Sequence, residues 1–220
     1  MSQLTRFQQK SNIVKSENLV EDMSKRGEYI PSIQLIQSSS DALTDVKLSQ
    51  IVRIGDFLFN QSESLGRSFD AVPCGWRPHA MELDNKKTVI RDTYVEDDIY
   101  KDIREKCDKK VQNYLAGIDF LLWLPAKKNF GIYFLYKTHL KSAGMDLNGS
   151  NGKLVTIQSK LVEWNNYKWQ TPNVVPSTNE IIEPTEEQVD KAIEMFNNPK
   201  TAVGSVSSTV ASETETGRPR

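Results

Sequence analysis

Apolar and polar positions alternate in short runs along most of this chain, and two segments change to a helical period. Residues 32–37 (SIQLIQ), opened by Pro31, set Ile33 and Leu35 on one side and Gln34 and Ile36 on the other, the two-residue period of a strand. Residues 38–41 break that period. Residues 51–60 (IVRIGDFLFN) predict strand, Gly-Asp turn and strand, and residues 69–73 a short strand ended by Pro73. Residues 119–124 and 130–138 are apolar at adjacent positions and joined by a Pro-Ala-Lys-Lys-Asn turn, so at least one of them is buried on two faces. Residues 138–147 predict a short helical turn, followed by an NGSNG loop tolerant of positive φ. Two further strands, 153–164 and 167–174, meet at a tight Asn165-Asn166 turn.

The strongest helical signal is residues 97–114, where Ile99, Ile103, Cys107 and Val111 recur every four positions, flanked by Tyr100 and Tyr114. Asp97 and Asp98 suit its N-terminus, and Lys109 and Lys110 its C-terminus. A second helix spans 185–196, started by Pro184 and Thr185, with Val189, Ile193 and Phe196 as its apolar stripe. The chain thus divides into a flexible arm (1–30) with a short helix around 18–25, a β-rich core (31–177), an acidic C-terminal helix (178–198) and a Ser/Thr-rich tail (199–220) that cannot bury a core. The fold class is α+β and β-rich, with one long helix.

At 220 residues the chain holds one good-sized core, and its net charge of −1 does not announce a nucleic-acid binder. The total hides an asymmetry. Residues 127–169 carry seven lysines against Asp146 and Glu163, whereas residues 180–198 carry Glu180, Glu183, Glu186, Glu187, Asp190 and Glu194 against Lys191. The N-terminus has no apolar secretory core, and the longest apolar stretch, 120–125, falls far short of the roughly 20 residues a membrane helix needs. A soluble intracellular protein is expected. Cys74 and Cys107 lack CxxC spacing and a nearby His pair, which argues for two reduced thiols rather than a zinc site.

Motifs for catalysis are thin. P-loop, GxSxG, HExxH and Rossmann glycine patterns are all missing from the sequence. The two histidines are His79 and His139; Cys74 and His79, five apart on a Pro-flanked segment, read more simply as a loop Cys and an exposed His. Asp97-Asp98 reads as helix capping rather than a metal pair. The expectation is a protein that is not an enzyme and uses no cofactor.

What remains is the lysine–aromatic stretch. Lys127, Lys128, Lys137, Lys141, Lys160 and Lys168 can neutralise phosphates, and Tyr133, Trp164, Tyr167 and Trp169 offer faces on which bases stack, the ingredients of single-stranded nucleic-acid binding. Strand alternation puts Tyr133 with Leu135 and Lys137 on one side and Phe134 with Tyr136 on the other; at least one side is core, the other open. Trp164, Tyr167 and Trp169 sit around a hairpin, either as stacking faces or as cross-strand pairs that stabilise it. Lys137, Thr138 and Lys141 occupy a strand-to-helix junction, which reads as a phosphate contact or as a solvated turn. Trp76-Arg77-Pro78 is a further aromatic–cation pair of the same ambiguity.

The order PSIQLIQSSSDAL, IGDFLFNQSESLG, FDAVPCGWRP, FLYKTHLKSAG and VEWNNYKWQTPNV resembles, over about residues 31–176, small phage-encoded proteins of single-stranded DNA-binding character. The resemblance implies an OB-like antiparallel β-barrel that coats phage DNA during replication or recombination in the cytoplasm of an infected bacterial host. It implies roles for Lys137, Thr138 and Lys141 in the matching Lys-Thr segment and for Trp164, Tyr167 and Trp169 in the aromatic one. Many such proteins end in an acidic tail with a terminal aromatic; this chain ends Gly-Arg-Pro-Arg, and its nearest equivalent is the internal acidic segment 180–194, a candidate surface for self-association or for replication proteins. The alternative is a phage structural, cargo or interaction protein, favoured by the N-terminal arm and the Ser/Thr tail.

Overall fold

The computed structural model describes residues 29–136 and 139–198, and within them nine strands and three α-helices. In chain order they are β1 (Ser32–Leu35), β2 (Phe57–Phe59), β3 (Glu63–Gly66), β4 (Ser68–Leu83), β5 (Val89–Thr93), α1 (Asp98–Asp108), β6 (Tyr114–Leu124), β7 (Asn129–Tyr136), α2 (Met145–Gly149), β8 (Val155–Trp164), β9 (Tyr167–Pro176) and α3 (Glu186–Asn197). The strand order is β3-β2-β1-β7-β6-β4-β8-β9, with β5 also on β4. All pairings are antiparallel except β1 with β7, so the expectation of a purely antiparallel sheet is corrected to a mixed one, curled into a half-barrel. The α+β, strand-rich class holds. The N-terminal arm, its helix near 18–25 and the Ser/Thr tail lie outside the described residues.

Alternation on each strand divides the apolar residues between two cores. Phe120, Leu122 and Leu124 of β6 point to the concave side with Tyr133 and Leu135 of β7, Ile33 and Leu35 of β1, Phe57 and Phe59 of β2 and Ile157 of β8. On the convex side Leu121 and Trp123 of β6 meet Phe130, Cys74 and the α3 residues Val189, Ala192 and Phe196. β6 is therefore buried on both faces, as its unbroken apolar run requires. Gly131 permits the curl: a Cβ there would lie 2.8 Å from Ile33 Cδ1.

β4 is the spine and the largest departure from the sequence reading. Pro73 does not end a strand; one strand of 16 residues runs through Pro73 and Pro78. β8 pairs with its first residues (Ala71 is the last), β5 with its final ones from Ala80, and β6 with Val72 to Glu82 on the other edge. Between Ala71 and Ala80 β4 thus has a strand on one side only. Pro73 and Pro78 stand opposite Leu122 and Ile118, an even spacing, and the Pro73 carbonyl accepts from Gly152 N at 2.7 Å on the edge away from β6. Both proline nitrogens therefore face the bare edge, where no ladder donor is lost.

Helix boundaries follow their caps. The Asp97 side chain accepts from Tyr100 N at 2.8 Å and starts α1. The helix stops at Asp108, not at residue 114; Tyr100 and Ile103 are buried, whereas Ile99 and Val111 are exposed, so the packed stripe is Tyr100–Ile103–Cys107 rather than the four-residue series. α3 opens with a full capping box between Thr185 and Gln188. Residues 51–54 form a turn instead of a strand: Arg53 N donates to Asp56 Oδ2 at 2.7 Å, and Ile51 and Ile54 are exposed. No helix of the described residues is long and apolar enough to cross a membrane. Cys74 and Cys107 are both free thiols in separate clusters, and burial pushes the Cys74 thiol up to about 12.

Candidate nucleic-acid interface

β8 leaves the sheet before it ends. Its ladder with β4 stops at Gln158 opposite Ser68, with one more bond from Ser159 N to the Arg67 carbonyl at 2.9 Å. Beyond that, residues 160–171 pair only with each other and form a two-stranded arm. Its turn is the expected Asn165-Asn166, at φ 47° and 69°, the pair of positive values that matches the twist of a hairpin. Trp164 stands opposite Tyr167, Val162 opposite Trp169 and Lys160 opposite Thr171. Directly opposed residues share a face, so Trp164, Tyr167, Trp169 and Lys160 all lie on one side of the arm, continuous with the convex side of the sheet. Trp164 and Tyr167 are 49% and 47% exposed. The other side carries Leu161, Glu163, Lys168 and Gln170.

The root of the arm is held by a reciprocal amide clamp. Gln37 Nε2 donates to the Gln170 carbonyl and Gln170 N donates to Gln37 Oε1, both at 2.8 Å. This joins the end of β1 to β9 across the open side of the half-barrel. Gly55, at φ +90°, lets the 53–56 turn approach: a Cβ there would stand 3.1 Å from Ser159 Oγ and 3.2 Å from Gln170 Oε1.

Only part of the expected residue set comes together here. Lys160 joins the three aromatics. Lys168 is on the opposite face, ion-paired to Glu163 at 2.8 Å. Lys127 and Lys128 lie in the β6–β7 turn, where Lys127 pairs with Glu63, Lys128 has the left-handed φ of 49° and its carbonyl accepts from Gln188 Nε2 at 2.9 Å. Tyr133 is a correction: it is 3% exposed, packs edge-on to Phe57 in the concave core, and burial raises its phenol pKa, so the open side of β7 is not the one it faces. Lys137 and Thr138 lie outside the described residues. Lys141 is exposed in the π-helical turn Leu140–Gly144 that leads into α2. α2 borders the Val174–Pro176 end of β9, seven to nine residues from Tyr167, or about 23–30 Å along a strand at about 3.3 Å per residue. The junction and the arm are two places, not one.

The acidic helix is fixed elsewhere. α3 packs its apolar stripe on β4, β6 and β7, in a cluster that includes no residue of the arm, and its Glu186, Glu187, Asp190 and Glu194 are exposed. The strap before it is anchored by Trp123 Nε1, which donates to the Ile182 carbonyl at 2.6 Å.

A buried polar cluster escaped the sequence reading. Asp119, 2% exposed, accepts from Arg77 Nε at 3.0 Å and Nη2 at 2.9 Å and meets His79 Nδ1 at 2.9 Å. Arg77 lies between the Tyr94 ring (4.1 Å) and the Phe196 ring (4.4 Å), and its Nη1 donates to the Phe196 carbonyl at the end of α3. Burial opposes the Asp119 charge, but His79 and Arg77 together hold its carboxyl below the usual range. His79 stacks on Tyr94 at 4.4 Å; it is not the exposed loop histidine expected, and Arg77 and Trp76 point to opposite sides of β4. A charge amid GIDFLLWL was the available signal, since Asp in a doubly buried strand needs a cation. Among the described residues no Ser, Thr or Cys side chain hydrogen-bonds His79, and no three His, Cys, Asp or Glu side chains group as a metal site. The cluster clamps α3 to the sheet.

Comparison with protein-family models, curated proteins and solved structures found no match.

Proposed function

We propose that this protein binds single-stranded DNA without catalysis, and that the arm formed by residues 160–171 is the surface that holds the strand. The observation that carries this is the placement of the exposed Trp164 and Tyr167 and the half-buried Trp169 on one side of the arm, with the exposed Lys160 on that side. Each base–aromatic stack contributes about 1–3 kcal/mol irrespective of sequence, so three such faces can supply most of a micromolar affinity. Lys160, exposed on the same side, then serves a phosphate. The resemblance of its segment order to phage single-stranded DNA-binding proteins supports a role in phage replication or recombination inside a bacterial host, and an OB-like origin for the half-barrel. The test is a tryptophan-fluorescence titration with oligo-dT. Quenching is expected at low salt, and Trp164→Ala/Trp169→Ala should abolish oligonucleotide binding with an unchanged circular dichroism spectrum. Absence of binding to any oligonucleotide would sink the reading.

One observation favours a second reading. Lys168 is on the other side of the arm and Lys127 in the β6–β7 turn, which leaves the aromatic face sparse in cations, and a Trp/Tyr cluster is also the composition of a protein-binding hot spot. On that reading the arm joins a structural or interaction protein to its partner. Salt-insensitive self-association that the same double substitution abolishes, with no oligonucleotide affinity, would select it.

A further inference from the structure

A second aromatic site stands apart from the arm. Beyond the concave core, β4 and β6 continue past α1, and between them and the π-helical turn lies a cleft of about 140 Å³. Pro78, Tyr100, Ile118 and Leu140 form its apolar floor, and Trp76, Arg104 and Glu96 its rim. Among the described residues Trp76, 52% exposed, is the most open large aromatic side chain and stacks on no other ring. Arg104 is exposed and makes no ion pair or hydrogen bond among them, although its neighbours on α1, Lys101, Lys106 and Lys109, are all paired. An exposed indole beside an apolar floor, with an unpaired guanidinium alongside, matches a flat ring that carries an anion. The volume limits the ring: a cavity of this size accommodates a single benzene-sized body.

We propose that this cleft is a nucleotide subsite, in which one base stacks on Trp76 and its phosphate meets Arg104, with Glu96 accepting from an exocyclic amine. The choice of a nucleobase rests on the single-strand reading above; the cleft itself does not depend on the arm. Trp76 is eight residues along β4 from Ser68, where the arm departs, and faces the concave rather than the convex side. The two sites therefore bind separately.

The arm variant makes the test clean. Of the four tryptophans, Trp164→Ala/Trp169→Ala leaves Trp123, which is 1% exposed, and Trp76. In that background dCMP, a single ring with an exocyclic amine, should quench emission saturably. Deoxycytidine should quench more weakly, and Arg104→Ala should weaken dCMP about tenfold while leaving deoxycytidine unchanged, as expected for one charge-assisted phosphate contact. The proposal is overturned if dCMP leaves emission unchanged, if Arg104→Ala has no effect on dCMP, or if dCMP quenches free N-acetyltryptophanamide equally. If oligo-dT binds the wild-type arm but dCMP fails in the double variant, the cleft reading alone falls. If no oligonucleotide binds yet dCMP quenches as described, the single-strand reading falls and the cleft stands as a free-nucleotide site.

Discussion

Asp119 carries the largest single electrostatic consequence in the fold. It is buried with Arg77 and His79, and breaking such a set by removing one charge costs about 3–5 kcal/mol, because the remaining cation keeps its desolvation. Asp119→Asn should lower stability by that order, read from urea midpoints. The sign of the pH effect follows from the lowered carboxyl. A group whose folded pKa lies below its ordinary 3.8 contributes fully above that value and loses its contribution as pH falls through the folded pKa. Wild-type stability should fall below about pH 4, and Asp119→Asn should flatten that acid limb. Gly117 is the steric counterpart: a Cβ there would lie 2.1 Å from the Leu135 carbonyl oxygen and 2.9 Å from the Phe134 ring. Because the first obstacle is backbone, Gly117→Ala should cost at least the roughly 1–3 kcal/mol typical of overpacking, measured by the shift in thermal midpoint. Asp119 stands in the sequence as a lone charge in an apolar run, a signal the strand reading passed over. Its partners were hidden because Arg77 and His79 reach it only through strand pairing.

At the scale of elements, the arm and α3 were legible and β4 was not. The Asn165-Asn166 turn, the capping residue Thr185 and the stripe of α3 are local signals, each within a few residues of what it determines. β4 reads as broken because Pro73 and Pro78 usually stop strands, and only the absence of a second neighbour makes them harmless. Lysine partners were equally out of reach: Lys127 and Glu63 are 64 residues apart. The arm also depends on a distant pair, Gln37 and Gln170. Gln37→Ala removes both clamp bonds, worth about 0.5–1.5 kcal/mol each. Faster amide exchange at residues 160–171 is expected, with weaker oligo-dT binding and unchanged aromatic side chains. Thr185→Ala should cost about 1 kcal/mol, seen as faster exchange confined to the first turn of α3.

For the whole molecule, charge pairing sets the salt response. With Lys168 and Lys127 engaged by carboxylates, about one phosphate remains for Lys160, and the slope of log affinity on log salt should be about −0.7. This is shallower than seven lysines suggest, and a titration from low to high salt measures it. The acidic face of α3 lies where its apolar side fixes it, so any role in recruitment is played from the convex side of the sheet, the side that the aromatics of the arm also face.

The bare edge of β4 has a consequence for how copies of this protein behave at high concentration. An open strand edge is a template for another chain, and eight residues without a neighbouring strand, bonded there at the Pro73 carbonyl by Gly152 N, would be long enough to seed fibrous association. Pro73 and Pro78 withhold two of the donors such a template must offer. Pro78→Val restores one donor and adds a β-branched side chain. Its expected outcome is concentration-dependent growth of large species in light scattering, with the folded monomer signal otherwise retained.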